Sequence, residues 1–219
     1  MDAIRCEVLA KGAEAIIYKE VWYGFVVVRK VRIPKRYRDA RLDRTLRIRR
    51  TINEARLLYD ARRLGVSVPA IIDIIVDSTT IIMEYIEGIR LRDELNNMSI
   101  NEIAKIMRKV GILVGTLHSN GIVHGDLTTS NMIMSKSGNI FLIDFGLGMH
   151  SDDLEDIGVD LHVFLRALES THTHVADICF HQFLKGYKEV MGEDKVKRAV
   201  DKVYEIRARG RYVPSELRK

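Results

Sequence analysis

Apolar and β-branched positions cluster into short runs over the first third of the chain. Ile4 to Ala10, Ala15 to Val21 and Phe25 to Val31 are rich in β-branched and aromatic residues, which predicts three strands. Lys11-Gly12-Ala13-Glu14 and the turn Trp22-Tyr23-Gly24 join them into an antiparallel meander. The pattern then changes period: Leu42, Leu46, Ile52, Ala55, Leu58 and Tyr59 recur mostly at helical spacing, and Gly65 is placed to stop the helix. Two further apolar runs, Ile71 to Val76 and Ile81 to Ile86, follow Pro69. Five strands with one helix after the third make a compact α+β lobe.

The remainder reads as mostly helical. Ser99 and Glu102 have the spacing of a capping box, in which each side chain satisfies an amide near the other. The helix they open carries Ile103, Ile106, Met107, Val110, Leu113, Val114 and Leu117 and closes at Gly121. Met132 to Met134 and Ile140 to Ile143 face each other across a Ser- and Gly-containing turn, a hairpin signal. Helices are predicted over about 156–170, 174–190 and 193–209. The expected division is residues 1–87 and 88–219, with the boundary near Glu87-Gly88.

Composition narrows the class. Apolar residues make up 47% and charged residues 30% of the 219, a globular balance that excludes disorder as the main state. No apolar run approaches a membrane span, and the first seven residues carry charges where a signal peptide is apolar. Cys6 and Cys179 form no CxxC, so a reducing, cytoplasmic location is expected. Charge is unevenly spread. Residues 29–63 hold 14 Lys and Arg against 4 acids, within a chain whose net charge is only +5. Such a block attracts phosphates, nucleic acid or an acidic surface, or forms a solvated basic face.

Phosphoryl transfer requires carboxylates for metal, a cation for phosphate and a base near the nucleophile. His124-Gly125-Asp126-Leu127-Thr128-Thr129-Ser130-Asn131 supplies a base and a metal ligand at the D-x-x-x-x-N spacing of a kinase catalytic loop. Asp144-Phe145-Gly146 follows after the hairpin, and its Asp, beside a permissive Gly, can aim at a bound cation. The two together are a strong signal; either alone is weak.

Upstream, Val26, Val28 and Lys30 share one strand face, so Lys30 points into the expected cleft. Lys35 competes for that role but follows Pro34, beyond the expected strand. Glu54 is the only glutamate between Glu20 and Glu84 and is placed to pair with Lys30, or with Arg47 or Arg50 on its own helix. Lys11-Gly12-Ala13-Glu14-Ala15 is the candidate phosphate loop, though it has a single glycine. Backbone groups of Glu84 and Ile86, at the end of the fifth strand, are candidates to hydrogen-bond adenine. His172 reads as a structural histidine at a helix start and Cys179 as a core thiol. Asp152, Asp153, Glu155 and Asp156 are expected to place acids beside the cleft.

Taken together, these stretches resemble the small atypical kinase of the KEOPS complex, the PRPK family, in an archaeal form. The resemblance extends through Pro34-Lys35-Arg36-Tyr37-Arg38, Arg49-Arg50-Thr51, Glu54-Ala55-Arg56, Val159-Asp160-Leu161 and Ser170-Thr171-His172. It implies a bilobal protein-kinase-like fold: a small β-rich N-lobe and a reduced C-lobe without a normal activation segment. It also implies Ser/Thr kinase and ATPase activity with ATP and Mg²⁺, in support of threonylcarbamoyladenosine formation in tRNA. Asp126 would be the catalytic acid/base, Asn131 and Asp144 the metal ligands, and Lys30 with Glu54 the phosphate-positioning pair. The implied partners are the threonylcarbamoyl-transferring subunit and a small regulatory subunit, with tRNA contact through residues 29–63 and the C-terminal tail.

Two features depart from ordinary kinases. Gly125 stands where H-R-D has arginine, and no A-P-E follows Asp144. The tail after Arg209-Gly210-Arg211 also departs from the family's basic run. Competing readings are a RIO-like kinase, an aminoglycoside- or choline-type phosphotransferase, and a nucleotide-bound scaffold without catalysis.

Overall fold

The computed structural model describes residues 6–211. The expected strand start at Ile4 and Arg5 and the tail from Tyr212 to Lys219 lie outside the described residues. A five-stranded antiparallel sheet is built from β1 (Glu7–Lys11), β2 (Ala15–Trp22), β3 (Phe25–Arg32), β4 (Ile71–Ile75) and β5 (Thr80–Glu84), in the order β1-β2-β3-β5-β4. The β2–β3 turn is two residues, not three. Tyr23 (φ 48°) and Gly24 (φ 84°) both adopt positive φ, so Trp22 stays in its strand opposite Phe25. That register sets Ile17 opposite Lys30 and Lys19 opposite Val28.

Between β3 and β4 runs α1 (Ala40–Arg63), capped by the Asp39 carboxylate, which accepts from the amides of Arg41 and Leu42. It ends at Gly65, whose φ of 81° lets the Val66 amide reach back to the Ala61 carbonyl. The buried face of α1 differs from the apolar spacing read in the sequence. Leu42, Ile52 and Tyr59 are exposed, while Asp43, Thr51 and Glu54 are buried with Ala55, Leu57, Leu58 and Ala61.

A second sheet begins at Gly88. It joins β6 (Gly88–Arg90) to the hairpin of β8 (Met132–Ser135) and β9 (Ile140–Leu142), and a small pair joins β7 (Ile122–Val123) to β10 (Met149–His150). The short strands β6, β7 and β10 were not expected from the sequence. Around them pack α2 (Leu91–Glu94), α3 (Ile100–Ser119), α4 (Leu154–Thr171), α5 (Ala176–Met191) and α6 (Glu193–Arg211). The capping box of Ser99 and Glu102 is present at the head of α3. α3 and α5 approach backbone to backbone: a Cβ at Gly111 would lie 2.0 Å from the Phe183 carbonyl oxygen, and one at Gly186 1.9 Å from that of Arg108. In the core between the helices Phe183 packs tilted against Phe164 and stacked on Tyr187, with ring centroids 4.7 and 5.6 Å apart. Cys179 lies in this core, where burial pushes its thiol pKa up to about 12.

The acids at 152–156 do not line the cleft between the two sheets. Asp153 caps α4, Asp156 accepts from the Ser151 hydroxyl, and Glu155 pairs with Lys202 and Arg209 of α6. No helix among the described residues is long and apolar enough to cross a membrane.

Candidate active site

Lys30 enters the cleft from β3 and is 6% exposed. Its ammonium lies 2.7 Å from Glu54 Oε1 and 2.6 Å from Asp144 Oδ1. Burial would lower the Lys30 pKa, but the Glu54 and Asp144 carboxylates outweigh it and hold it above the usual lysine range. For Asp144, burial works upward and the Lys30 ammonium wins, leaving the carboxyl below its usual range. Asp144 adopts φ 63°, rare for a side chain with a Cβ, and accepts from the Gly146 amide at 3.2 Å. The alternatives for Glu54 and Lys35 are settled by other contacts. Arg47 pairs with Asp43 and Arg50 with Glu14, while the Lys35 ammonium donates to the Ala13 carbonyl.

The catalytic-loop segment is held from below. Asp160 is buried and accepts from the backbone amides of His124 and Gly125, each at 2.9 Å, and from His118 Nε2 at 3.1 Å. His118 Nδ1 accepts in turn from the Tyr187 hydroxyl at 2.8 Å. His124 donates from Nε2 to the Ile143 carbonyl and packs against Phe145, tying this loop to the segment that carries Asp144. Asn131 donates at 2.9 Å to both the carbonyl and the carboxylate of Asp126, which orients that carboxylate.

Gly125 has φ 80°, and a Cβ there would lie 2.2 Å from the Leu147 carbonyl oxygen. The chain beyond Asp144 turns across this position, so no side chain fits where ordinary kinases carry arginine.

His172 is buried, as expected of a structural residue, but it closes α4 rather than opening a helix. Its Nδ1 donates to Asn96 Oδ1 and its Nε2 accepts from the Thr129 hydroxyl, both at 2.9 Å, which braces the turn before Asn131. The sequence reading assigned no role to Arg32, His118 or Asp160. Nothing near them in the chain signals partners that lie 22 to 42 positions away.

The cleft encloses about 230 Å³. Leu9, Ile17, Val28, Met83, Ile86, Ile133 and Ile143 form its apolar walls, and Lys30, Glu54, Asn131 and Asp144 its charged and polar end. Val26 is exposed and does not line it. The Glu84 amide donates to the Ala70 carbonyl at 2.9 Å. The loop Lys11 to Ala15 is drawn toward α1 by Glu14, which pairs with Arg50, and does not contribute to the walls. An apolar slot that ends in one lysine ammonium, an amide and two carboxylates, one of them committed to that lysine, fits a purine nucleotide and its phosphates. Asn131 and Asp144 offer one amide and one carboxylate, and no group of three or more His, Cys, Asp or Glu converges among the described residues. That sparse donor set fits Mg²⁺, which completes its shell with phosphate oxygens and water.

Residues 9–176 match the protein kinase domain family, a span that contains Lys30, Glu54, Asp126, Asn131 and Asp144. The chain is also 46% identical over 212 residues to the KEOPS complex subunit Bud32 of Pyrococcus abyssi, covering 94% of this chain and 96% of that protein. The chain belongs to the protein kinases, in the Bud32 family. It is 42% identical over 206 residues to a probable bifunctional tRNA threonylcarbamoyladenosine biosynthesis protein of Methanothermobacter thermautotrophicus, and 40% identical over 205 residues to one from Methanocaldococcus jannaschii. Those matches cover 94% of this chain but only 36% and 37% of the two longer proteins. The family resemblance and the bilobal kinase-like architecture read in the sequence thus hold, and the chain is a kinase.

Proposed function

We propose that the chain is the ATP-using subunit of a KEOPS complex, acting as an ATPase and an atypical Ser/Thr kinase in support of threonylcarbamoyladenosine formation in tRNA. The observation that carries this reading is the convergence of Lys30, Glu54 and Asp144 within 2.7 Å contacts, beside an Asp126 carboxylate oriented by Asn131. The division expected at Glu87-Gly88, between 1–87 and 88–219, would put one lobe on each side of the cleft, as the described residues of each do. The cleft's apolar walls take adenine, with backbone groups of Glu84 and Ile86 at the base edge. Residues 11–15, which do not line the cleft in this structure, would have to move over it to cover the phosphates.

Asn131 and Asp144 would hold Mg²⁺, whose charge screens the phosphates. Lys30, fixed by Glu54, holds the α- and β-phosphates in place. Asp126 accepts the proton of the attacking hydroxyl, from water or a Ser/Thr side chain.

The names of the relatives, a KEOPS complex subunit and tRNA threonylcarbamoyladenosine biosynthesis proteins, support a place in that complex. The partners that the family resemblance implies there are the threonylcarbamoyl-transferring subunit and a small regulatory subunit, in the cytoplasm. Within the basic block, Arg36, Arg41, Arg44, Arg49, Arg56, Arg62 and Arg63 are exposed and are the candidates for tRNA contact. Lys30, Arg32, Arg47 and Arg50 are committed to acids within the fold. The C-terminal tail remains a further candidate.

The test is ATP hydrolysis by Asp126→Ala and Asp144→Ala proteins with unchanged thermal unfolding. Both are expected to lose turnover, because both carboxylates act on the reacting groups and not on the core. Undiminished hydrolysis by a folded Asp144→Ala protein would overturn the assignment.

A further inference from the structure

Arg32 lies two positions beyond Lys30 on β3, so strand alternation sends both side chains to one face. Its side chain is 4% exposed, and a guanidinium so far from water is tolerated only where acids meet it. Arg32 Nη2 donates to Glu54 Oε2 at 2.6 Å while Lys30 takes Oε1 at 2.7 Å. The Glu54 carboxylate therefore stands between two cations from the same strand. α1 cannot rotate or withdraw without breaking both bonds.

The guanidinium has two further neighbours. A Cβ on Gly146 would sit 3.1 Å from Arg32 Nη2, so the glycine of D-F-G lies flush against it. On another side, Nη1 is 3.7 Å from Glu14, the acid of the loop before β2, which also pairs with Arg50 of α1. One side chain thus touches the helix bearing Glu54, the segment bearing Asp144 and the candidate phosphate loop.

Many kinases hold the glutamate helix in place through a phosphorylated activation loop read by arginines. Here α4 begins at Leu154, soon after Asp144, and glycine occupies position 125. We propose that Arg32 is a positioning residue that keeps Glu54 locked onto Lys30, so that the site assembles without any phosphorylation event. This rests on the reading of the cleft as the site of ATP use.

The test compares ATP hydrolysis by Arg32→Met, Glu54→Gln, their double variant and Arg32→Lys, each with its thermal unfolding. Arg32→Met is expected to lose about 100-fold in kcat, the scale of a misplaced reacting group, with KM for ATP changed by less than about threefold. The double variant is expected to be no slower than the slower single variant, since both act through one contact. Arg32→Lys, which keeps the charge but not the fork, should recover about tenfold of the loss.

If Arg32→Met does not fold, the double variant leaves no unpaired buried carboxylate, and its rate is read against Glu54→Gln alone. Equal rates there support the proposal. Losses that multiply in the double variant, or a folded Arg32→Met protein with normal kcat or with a change in KM alone, would overturn it. Loss of turnover in Asp144→Ala would leave the ATP site standing even then.

Discussion

Asp160 holds three donors at once, and a buried carboxylate in that position fixes a loop more firmly than any single neutral hydrogen bond. Burial works to raise its pKa. The hydrogen bond from His118 leads the effects that outweigh burial and hold it below the usual carboxylate range. A depressed acid adds stability that is present above its unfolded pKa of about 4 and is lost as pH falls through the lower folded value. Asp160→Asn is therefore expected to cost about 3 kcal/mol near neutral pH in urea unfolding. The gap from the parent should narrow as pH drops below about 4, because only the parent titrates there. A gap independent of pH would show that the charge of Asp160 is not what holds the loop. At this scale the sequence made Asp126, Asn131 and Asp144 conspicuous, because phosphoryl transfer calls for those groups at set spacings. Arg32 was hidden among fourteen basic residues, and only the fold shows that it joins Lys30 on Glu54 while others of the block face solvent.

Among the elements, the capping box of α3 and the β8–β9 hairpin were readable because their signals are local. α1 was placed correctly but its buried face was not. A helix that carries Glu54 inward turns polar residues toward the centre, and apolar spacing then misleads: Leu42, Ile52 and Tyr59 point outward. The three-residue strand β6 escaped notice because it pairs with β8, more than forty positions away, and has no pattern of its own. The glycines of α3 and α5 were likewise silent, since in a helix a glycine signals only weak propensity. Their purpose is tertiary. Gly186→Val would force α3 and α5 apart at Arg108 and should cost about 3 kcal/mol, the upper range for an overpacked core. The check is the urea midpoint, and an unchanged midpoint would mean the two helices can separate without loss.

For the whole molecule, the lobes bring a charged cluster to one end of an apolar cleft, while the chain between Asp144 and α4 is too short to form a peptide platform. Of the acids at 152–156, expected from the sequence to lie beside the cleft, Asp153 is consumed by the cap of α4, Glu155 by α6 and Asp156 by the Ser151 hydroxyl. Under the proposed function, specificity comes from a partner that covers the open cleft, and the family resemblance implies the threonylcarbamoyl-transferring subunit for that place. The most direct measurement is ATP hydrolysis and generic-peptide phosphorylation side by side, by the isolated chain and then with that subunit and tRNA added. Slow hydrolysis alone, stimulation by the subunit with tRNA, and little peptide phosphorylation are the expected results. Fast phosphorylation of a free peptide without any partner would contradict the account.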